Sequence, residues 1–302
     1  MIIKMESNLK YGIVIAPQAY LYTDDLMEIA DEVFMGWALV ITPEQKEKSG
    51  VVYRRVITHY GYDGFIQIEA FRDSDESELI NRDSNAEICV VQRAFSDLLS
   101  QARVQGSIIL TMSRGSFVKV ISDEGNGYCL AETADGTRGY IPIIALEKRV
   151  DSDGYLYAKE KNGYFLRQHI SEVMNEKRFR EKVVETAKSY LGTQYRWGGK
   201  SAAGIDCSGL TFMSYMLNGV LIYRDAQIES EYPVHEITIE DIKKGDLIYF
   251  KGHIAMYLGN QKYIHCTGHK NSFGCVINSL NPNDPDYRQD LAEGILAVGS
   301  IF

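Results

Sequence analysis

The pattern of apolar and polar positions changes character about halfway along the chain. In the first half, short runs rich in β-branched and aromatic residues (13–16, 33–41 and 51–59) are separated by turn residues, as short strands are. Gly61-Tyr62-Asp63-Gly64 then leads into Phe65-Ile66-Gln67-Ile68, and the spacing predicts a small all-β barrel. The pattern returns over 88–91, 108–112, 116–121 and 128–132, with Asp135-Gly136 as a turn and Gly139-Tyr140-Ile141-Pro142 opening a last strand. Both stretches end on Gly–aromatic–Ile, Gly64-Phe65-Ile66 and Gly139-Tyr140-Ile141. The reading is therefore two copies of one barrel with low identity between them. Residues 73–87, charged and polar, suit a linker.

From about residue 171 the period lengthens. Phe179, Val183, Val184, Ala187, Tyr190 and Leu191 recur at helical spacing, and Gly192 follows as a C-terminal stop. A second helix is expected to begin near Asp206, with Leu210, Met213, Ser214 and Leu217 on one face and Gly219 ending it. Beyond Lys243-Lys244-Gly245 come strong strands at 246–250 and 253–258, and a third at 262–266 after a Gly-Asn turn. Helices first and an antiparallel sheet afterwards predict an α+β domain. The expected fold class is multidomain: two small all-β barrels, 1–75 and 86–150, followed by an α+β domain at 171–302.

A length of 302 residues agrees with two or three domains. Hydrophobic residues at 45% and charged residues at 24% suit a globular protein, and 20 tyrosines favour pleated, half-buried surfaces. A net charge of −9 argues against general affinity for nucleic acid or anionic membrane. No apolar run approaches the length of a membrane span. Residues 1–11, MIIKMESNLKY, show no apolar stretch and no small-residue cleavage site, so the expected location is the cytoplasm. Five cysteines, an odd number without a CxxC spacing, make a poor disulfide framework and no zinc ribbon. Four of them read as small buried hydrophobes.

The fifth, Cys207, lies in Gly204-Ile205-Asp206-Cys207-Ser208-Gly209-Leu210, where a Gly-rich loop gives way to a helical pattern. A helix N-terminus stabilises a thiolate through its dipole and unpaired N–H groups, and the same groups can hold an oxyanion. A nucleophile also needs a base. His253 and His265 stand in neighbouring strands, each alternating with apolar residues. A three-residue loop, Gly259 to Gln261, would place His265 opposite Ala255 and diagonally beside His253 on one sheet face; a two-residue loop would flip it to the other. A Cys–His pair with an orienting second His fits the general logic of a triad. His59, His169, His235 and His269 read as structural.

Tyr195-Arg196-Trp197-Gly198-Gly199 followed by Asp206-Cys207-Ser208-Gly209-Leu210 resembles the NlpC/P60 cysteine peptidases. Gly245-Asp246-Leu247-Ile248-Tyr249-Phe250, His253-Ile254-Ala255-Met256-Tyr257-Leu258-Gly259 and Tyr263-Ile264-His265 continue the match in the family's order, over about residues 179–302. The resemblance implies a papain-like domain with Cys207 as nucleophile, His253 as base and His265 as orienter, and no metal or cofactor. The barrels look like bacterial SH3 domains. Two of them before this domain resemble the subgroup that cleaves γ-D-glutamyl-L-diamino acid bonds in murein peptides with a free N-terminal L-Ala. In that subgroup the substrate ammonium is held by positions matching Tyr195, Asp206, Ser208, Asp225 and, from the first barrel, Tyr62; Ala226 stands where some relatives have Ser. Read without the resemblance, Asp206 is a helix N-cap and Asp225 a solvated loop acid. The implied partner is a small murein peptide, with no nucleic acid, no membrane and no obligatory protein partner. Two other readings stay open: a non-catalytic protein that binds cell-wall peptides, and an amidase or acyltransferase of the same fold acting on larger wall substrates.

Overall fold

The computed structural model describes residues 10–85, 87–149 and 175–302. The expected domain limits at residues 1, 86, 150 and 171, and His169, lie outside them. Residues 10–149 belong to one compact unit and 175–302 to another.

In the first unit β1 (Lys10–Val14), β2 (Gln18–Tyr22), β3 (Ile29–Phe34), β4 (Ala38–Lys48), β5 (Val51–Thr58), β6 (Asp63–Gln67) and β7 (Phe71–Ser74) form an antiparallel sheet in the order β3-β2-β6-β5-β4-β1-β7. A second sheet follows: β8 (Ile88–Val91), β9 (Phe95–Leu99), β10 (Ile108–Ser113), β11 (Phe117–Asp123), β12 (Tyr128–Glu132), β13 (Arg138–Pro142) and β14 (Leu146–Lys148), ordered β10-β9-β13-β12-β11-β8-β14. Each position in the second order is the first plus seven, so the two sheets have one topology. The shared Gly–aromatic–Ile ending has a packing cause. A Cβ on Gly64 would lie 2.9 Å from the Leu21 Cβ and 3.0 Å from the Tyr22 carbonyl oxygen. On Gly139 it would lie 2.7 Å from the Leu98 Cγ and 2.8 Å from the Leu99 carbonyl oxygen. In both copies the glycine lets the last long strand close onto the second strand. Gly139→Val is therefore expected to cost about 1–3 kcal/mol by overpacking, read as a lower urea midpoint in the fluorescence of buried Trp37.

Two expectations change. Residues 33–41 are not one strand: the chain turns at Gly36, whose φ is +86°, and β3 and β4 pair elsewhere. The apolar run Val33-Phe34-Met35-Gly36-Trp37 conceals the turn because all of it is buried except what Gly36 lacks. The segment 73–87 is more than a linker, since Glu76–Asp83 is helix α1. The Asp75 carboxylate caps it by accepting from the Glu78 amide at 2.8 Å, and Leu79 is buried. Strands β2, β7, β9 and β14 were not among the expected elements.

The copies share a core. Tyr11, Ile13, Met35, Ala38 and Leu79 cluster with Val91, Leu98, Met112, Val118, Ala131 and Ile141. The Trp37 indole N–H donates to the Gly115 carbonyl at 2.9 Å, and the Phe117 amide to the Met35 carbonyl at 2.9 Å.

In the second unit α2 (Glu176–Lys188) starts on Asn175, whose side chain accepts from the Arg178 amide. It buries Phe179, Val183, Val184 and Ala187. It ends before Leu191, which is 45% exposed, and Gly192 has φ +82°. Helix α3 (Cys207–Met216) is buried at every residue rather than along one face, the pattern of a helix wrapped on all sides. The two-stranded ladder β15 (Lys200–Ser201) and β16 (Gly204–Ile205) precedes it. The main sheet is antiparallel, β17 (His235–Ile237), β22 (Ile295–Ser300), β18 (Leu247–Phe250), β19 (His253–Gly259), β20 (Lys262–Thr267) and β21 (Gly274–Ser279) in that spatial order. Helix α3 packs on β19 and β20. Arg180 of α2 donates to the Asp246 carboxylate (2.6 Å) and the Lys244 carbonyl (3.0 Å), and the Tyr215 hydroxyl of α3 to the Gly245 carbonyl (2.6 Å). Both helices are thus pinned to the Gly245-Asp246 entrance of β18. The unit has the expected α+β order. Among the described residues no helix is long and apolar enough to cross a membrane.

Candidate active site

Cys207 is the first residue of α3, with Asp206 in extended conformation as N-cap. Asp206 Oδ1 accepts from the Gly209 amide (2.5 Å) and from Arg224 Nη1 (3.2 Å). Its Oδ2 accepts from the Gly198 amide (2.9 Å) and from Arg224 Nη2 (3.1 Å). Arg224 Nη1 also donates to Ser208 Oγ at 2.7 Å. One carboxylate thus caps the helix, holds the Trp197-Gly198-Gly199 loop and pairs with a buried guanidinium. Gly209 belongs to the same fit, because a Cβ there would lie 2.2 Å from the Gly199 carbonyl oxygen.

The register of β19 and β20 brings the histidines together. Met256 pairs with Ile264 and Tyr257 with Tyr263, so His265 falls beside Ala255 as expected. The connection differs from the expected three-residue loop. Asn260 and Gln261, at φ +51° and +59°, form a two-residue turn, and a bulge between Tyr257 and Gly259 supplies the extra residue that keeps the register. His253 Nε2 lies 2.7 Å from His265 Nδ1. His265 Nε2 lies 2.9 Å from Asn278 Oδ1 on β21. Next in chain to His253, the Ile254 amide points at the Cys207 sulfur, as does the Ser208 amide.

Electrostatics modify the picture of a ready thiolate. Burial, then the charge of Asp206, push the Cys207 thiol up to about 11, against the pull of the Ile254 and Ser208 amides and of Arg224. Burial and the neighbouring His265 push His253 down, and burial does the same to His265. Both groups are thus held toward their uncharged forms, a thiol and a neutral imidazole.

Of the other expected residues, Tyr195 bridges to Ile205 and interacts with Cys207 and Asp206; burial raises its phenol, which stays protonated. The ring of Phe273, 58% exposed and at φ +23°, lies edge-on to it with centroids 6.2 Å apart. Asp225 is half-buried, next in chain to Arg224. Tyr62 sits in the turn between β5 and β6, its amide donating to Thr58 Oγ1 at 3.0 Å, and belongs to the first unit. Arg224 and Asn278 were not expected. The first stood unremarked in Tyr223-Arg224-Asp225-Ala226; the second showed only as a lone amide in an apolar strand. All five cysteines are free and buried. Among the described residues no group of three or more His, Cys, Asp or Glu could hold a metal ion.

The NlpC/P60 family pattern matches residues 192–286, a span holding Tyr195, Asp206, Cys207, Arg224, His253, His265 and Asn278. Dipeptidyl-peptidase 6 of Lysinibacillus sphaericus is 38% identical over 296 residues, covering 96% of this chain and 99% of that protein. The chain belongs to the NlpC/P60 family of cysteine peptidases. Family members named γ-D-glutamyl-L-lysine dipeptidyl-peptidase match more locally. The one from Bacillus cereus is 35% identical over 37% of this chain and 34% of its own; the one from Bacillus subtilis is 33% identical over 41% and 44%. The fold is shared with the crystal structure of an NlpC/P60 family protein from Bacillus cereus, at TM-score 0.69 and 18% identity over 95% of this chain and 98% of that one.

Proposed function

We propose that this NlpC/P60 peptidase hydrolyses the γ-D-glutamyl-L-diamino acid bond of short murein peptides with a free N-terminal L-Ala, releasing L-Ala-D-Glu. The observation that carries the reading is the meeting of Cys207 at the start of α3 with the strand that bears His253, itself bonded to His265. The names of the relatives support the bond chosen. His253 accepts the thiol proton while the Cys207 sulfur adds to the γ-carbonyl. The Cys207 amide and a neighbour stabilise the oxyanion. The imidazolium protonates the leaving amine, the thioester forms, and His253 then activates water to release the dipeptide and restore the thiol.

The substrate ammonium is assigned to Tyr195, Asp206, Ser208 and Asp225. Arg224 pairs with Asp206, and Asp225 is a second carboxylate offered to the ammonium. An ammonium taken out of water needs such a partner. The two sheets act as SH3-like domains, with domains at 1–75, 86–150 and 171–302, and the role is recycling of murein peptides in the cytoplasm.

Turnover of L-Ala-γ-D-Glu-L-Lys, its N-acetylated form and intact murein tests this. The free tripeptide is cleaved; acetylation lowers kcat/KM by about 10–100-fold, the worth of a charged hydrogen bond. Asp225→Asn raises KM by a similar factor with kcat nearly unchanged. No cleavage of the tripeptide overturns the peptidase reading, leaving a binding protein if the peptide still binds. Cleavage of murein alone points to a larger wall substrate. Equal cleavage of the acetylated peptide removes the ammonium pocket.

A further inference from the structure

Two hydrogen bonds beyond His265 decide which ring nitrogen of His253 is basic. Asn278 on β21 is 8% exposed, and its amide is used on both sides. Nδ2 donates to the Asp286 carbonyl at 2.7 Å. A carbonyl only accepts, so the amide orientation is fixed and Oδ1 is the atom 2.9 Å from His265 Nε2. An amide oxygen also only accepts. His265 Nε2 therefore carries the proton, and in a neutral ring its Nδ1 is a lone pair. That lone pair lies 2.7 Å from His253 Nε2, which must then carry a proton, leaving Nδ1 of His253 unprotonated. The anchor is itself held. The Asp286 carbonyl accepts from the Ser279 amide (3.1 Å), and its carboxylate pairs with Lys262 (2.7 Å).

We infer that Asn278 is a positioning residue which, clamped by the Asp286 carbonyl, sets the tautomers of both imidazoles so that His253 presents Nδ1 as the base. The inference rests on the reading of Cys207 and His253 as the reacting pair. Burial agrees with it, since it holds both rings neutral. The other ionisable groups near the pair are the Tyr263 phenol, whose ring centroid is 5.2 Å from that of His265, and Arg288, balanced by its bonds to Asp290 at 2.7 and 2.6 Å. Neither accepts a hydrogen bond from His265 Nε2, which Asn278 already takes.

The test compares wild type, Asn278→Ala, Asn278→Asp and Cys207→Ala on L-Ala-γ-D-Glu-L-Lys across pH, with ¹⁵N NMR of the histidine rings. Asn278→Ala loses about 10–100-fold in kcat with little change in KM, and its ring nitrogens show mixed tautomers. A carboxylate at 278 still accepts from Nε2 and keeps the tautomer, although it loses the donor that bonds the Asp286 carbonyl. Asn278→Asp therefore retains more of the rate, while its negative charge moves the acid limb of kcat/KM to higher pH. Should Asn278→Ala not fold, the wild-type ¹⁵N signals and the Asn278→Asp limb decide. Rings protonated on Nδ1 in the wild type, or an Asn278→Ala enzyme with unchanged kcat and acid limb beside an inactive Cys207→Ala, overturn the relay alone. An active Cys207→Ala overturns the reading beneath it.

Discussion

Cys207→Ala abolishes cleavage of L-Ala-γ-D-Glu-L-Lys, with kcat falling by on the order of 10⁶-fold, the loss found when a triad loses its nucleophile. The thiol is buried among groups that aim at it, and alanine removes the only atom there that can form the thioester. Folding is preserved, because the Asp206 cap, the Gly209 fit and the helix do not use the sulfur. Purified Cys207→Ala therefore binds the tripeptide with near wild-type affinity and releases no dipeptide. The pH profile carries the same chemistry. As the proposed base His253 works only when neutral, and burial lowers its pKa from the usual 6.5. Lowering a base's pKa extends its working form to more acidic solution, so kcat/KM stays level as pH falls through 6.5 and declines only below it. On the alkaline side the thiol, up near 11, sets no limit near neutrality. The first group to titrate is the substrate's own α-ammonium, at about pH 8, and the acetylated peptide lacks that limb. An acid limb at or above pH 6.5 would contradict the neutral resting pair.

Arg224→Met destabilises the catalytic unit by about 3–5 kcal/mol, the cost of leaving a buried charge without its partner. Arg224 is 2% exposed and bonds both oxygens of Asp206. Methionine fills the space of the stem and leaves the carboxylate facing an apolar group. Hydrogen exchange of the α3 amides reads the loss directly, because Asp206 caps that helix. Adding Asp206→Asn recovers part of it: the uncharged amide still caps the helix, although one of the two amides bonded by the carboxylate loses its acceptor. If the double variant were no more stable than Arg224→Met, the unpaired charge would not be the cause. Activity falls in both, since the cap that is disturbed also places Cys207.

How far these features could be read from sequence depends on how far apart the partners lie. The alternation in β19 and β20 is local, and it placed His265 beside Ala255 correctly even though the loop count was off by one. Asn260 and Gln261 turn the chain alone, and the bulge before Gly259 restores the register; a bulge has no composition of its own. The strand boundary at Gly36 was hidden because the residues around the turn are as apolar as the strands. Helix α1 escaped notice because, among its described residues, Leu79 is the one buried apolar side chain, and Ile80 beside it is 46% exposed, which leaves no helical stripe. Asp206 was legible as an N-cap from its neighbours alone. Its partner Arg224 is 18 residues away, and Asn278 is 13 residues from His265. Such pairings are made by the fold, and only the family resemblance brought the segment around Arg224 into view.

The core shared by the two N-terminal sheets carries a consequence for how such a protein can change over generations. Identical strand orders make two equivalent units, and two such units standing apart would each be dispensable to the other's stability. Here Tyr11, Ile13 and Met35 of one copy are buried against Val91, Leu98 and Val118 of the other, so deleting either would strip the apolar cover from its twin. Each copy has become the other's solvent. Loss of one half would then cost the stability of both, so it is no longer a small change, whatever use either half serves.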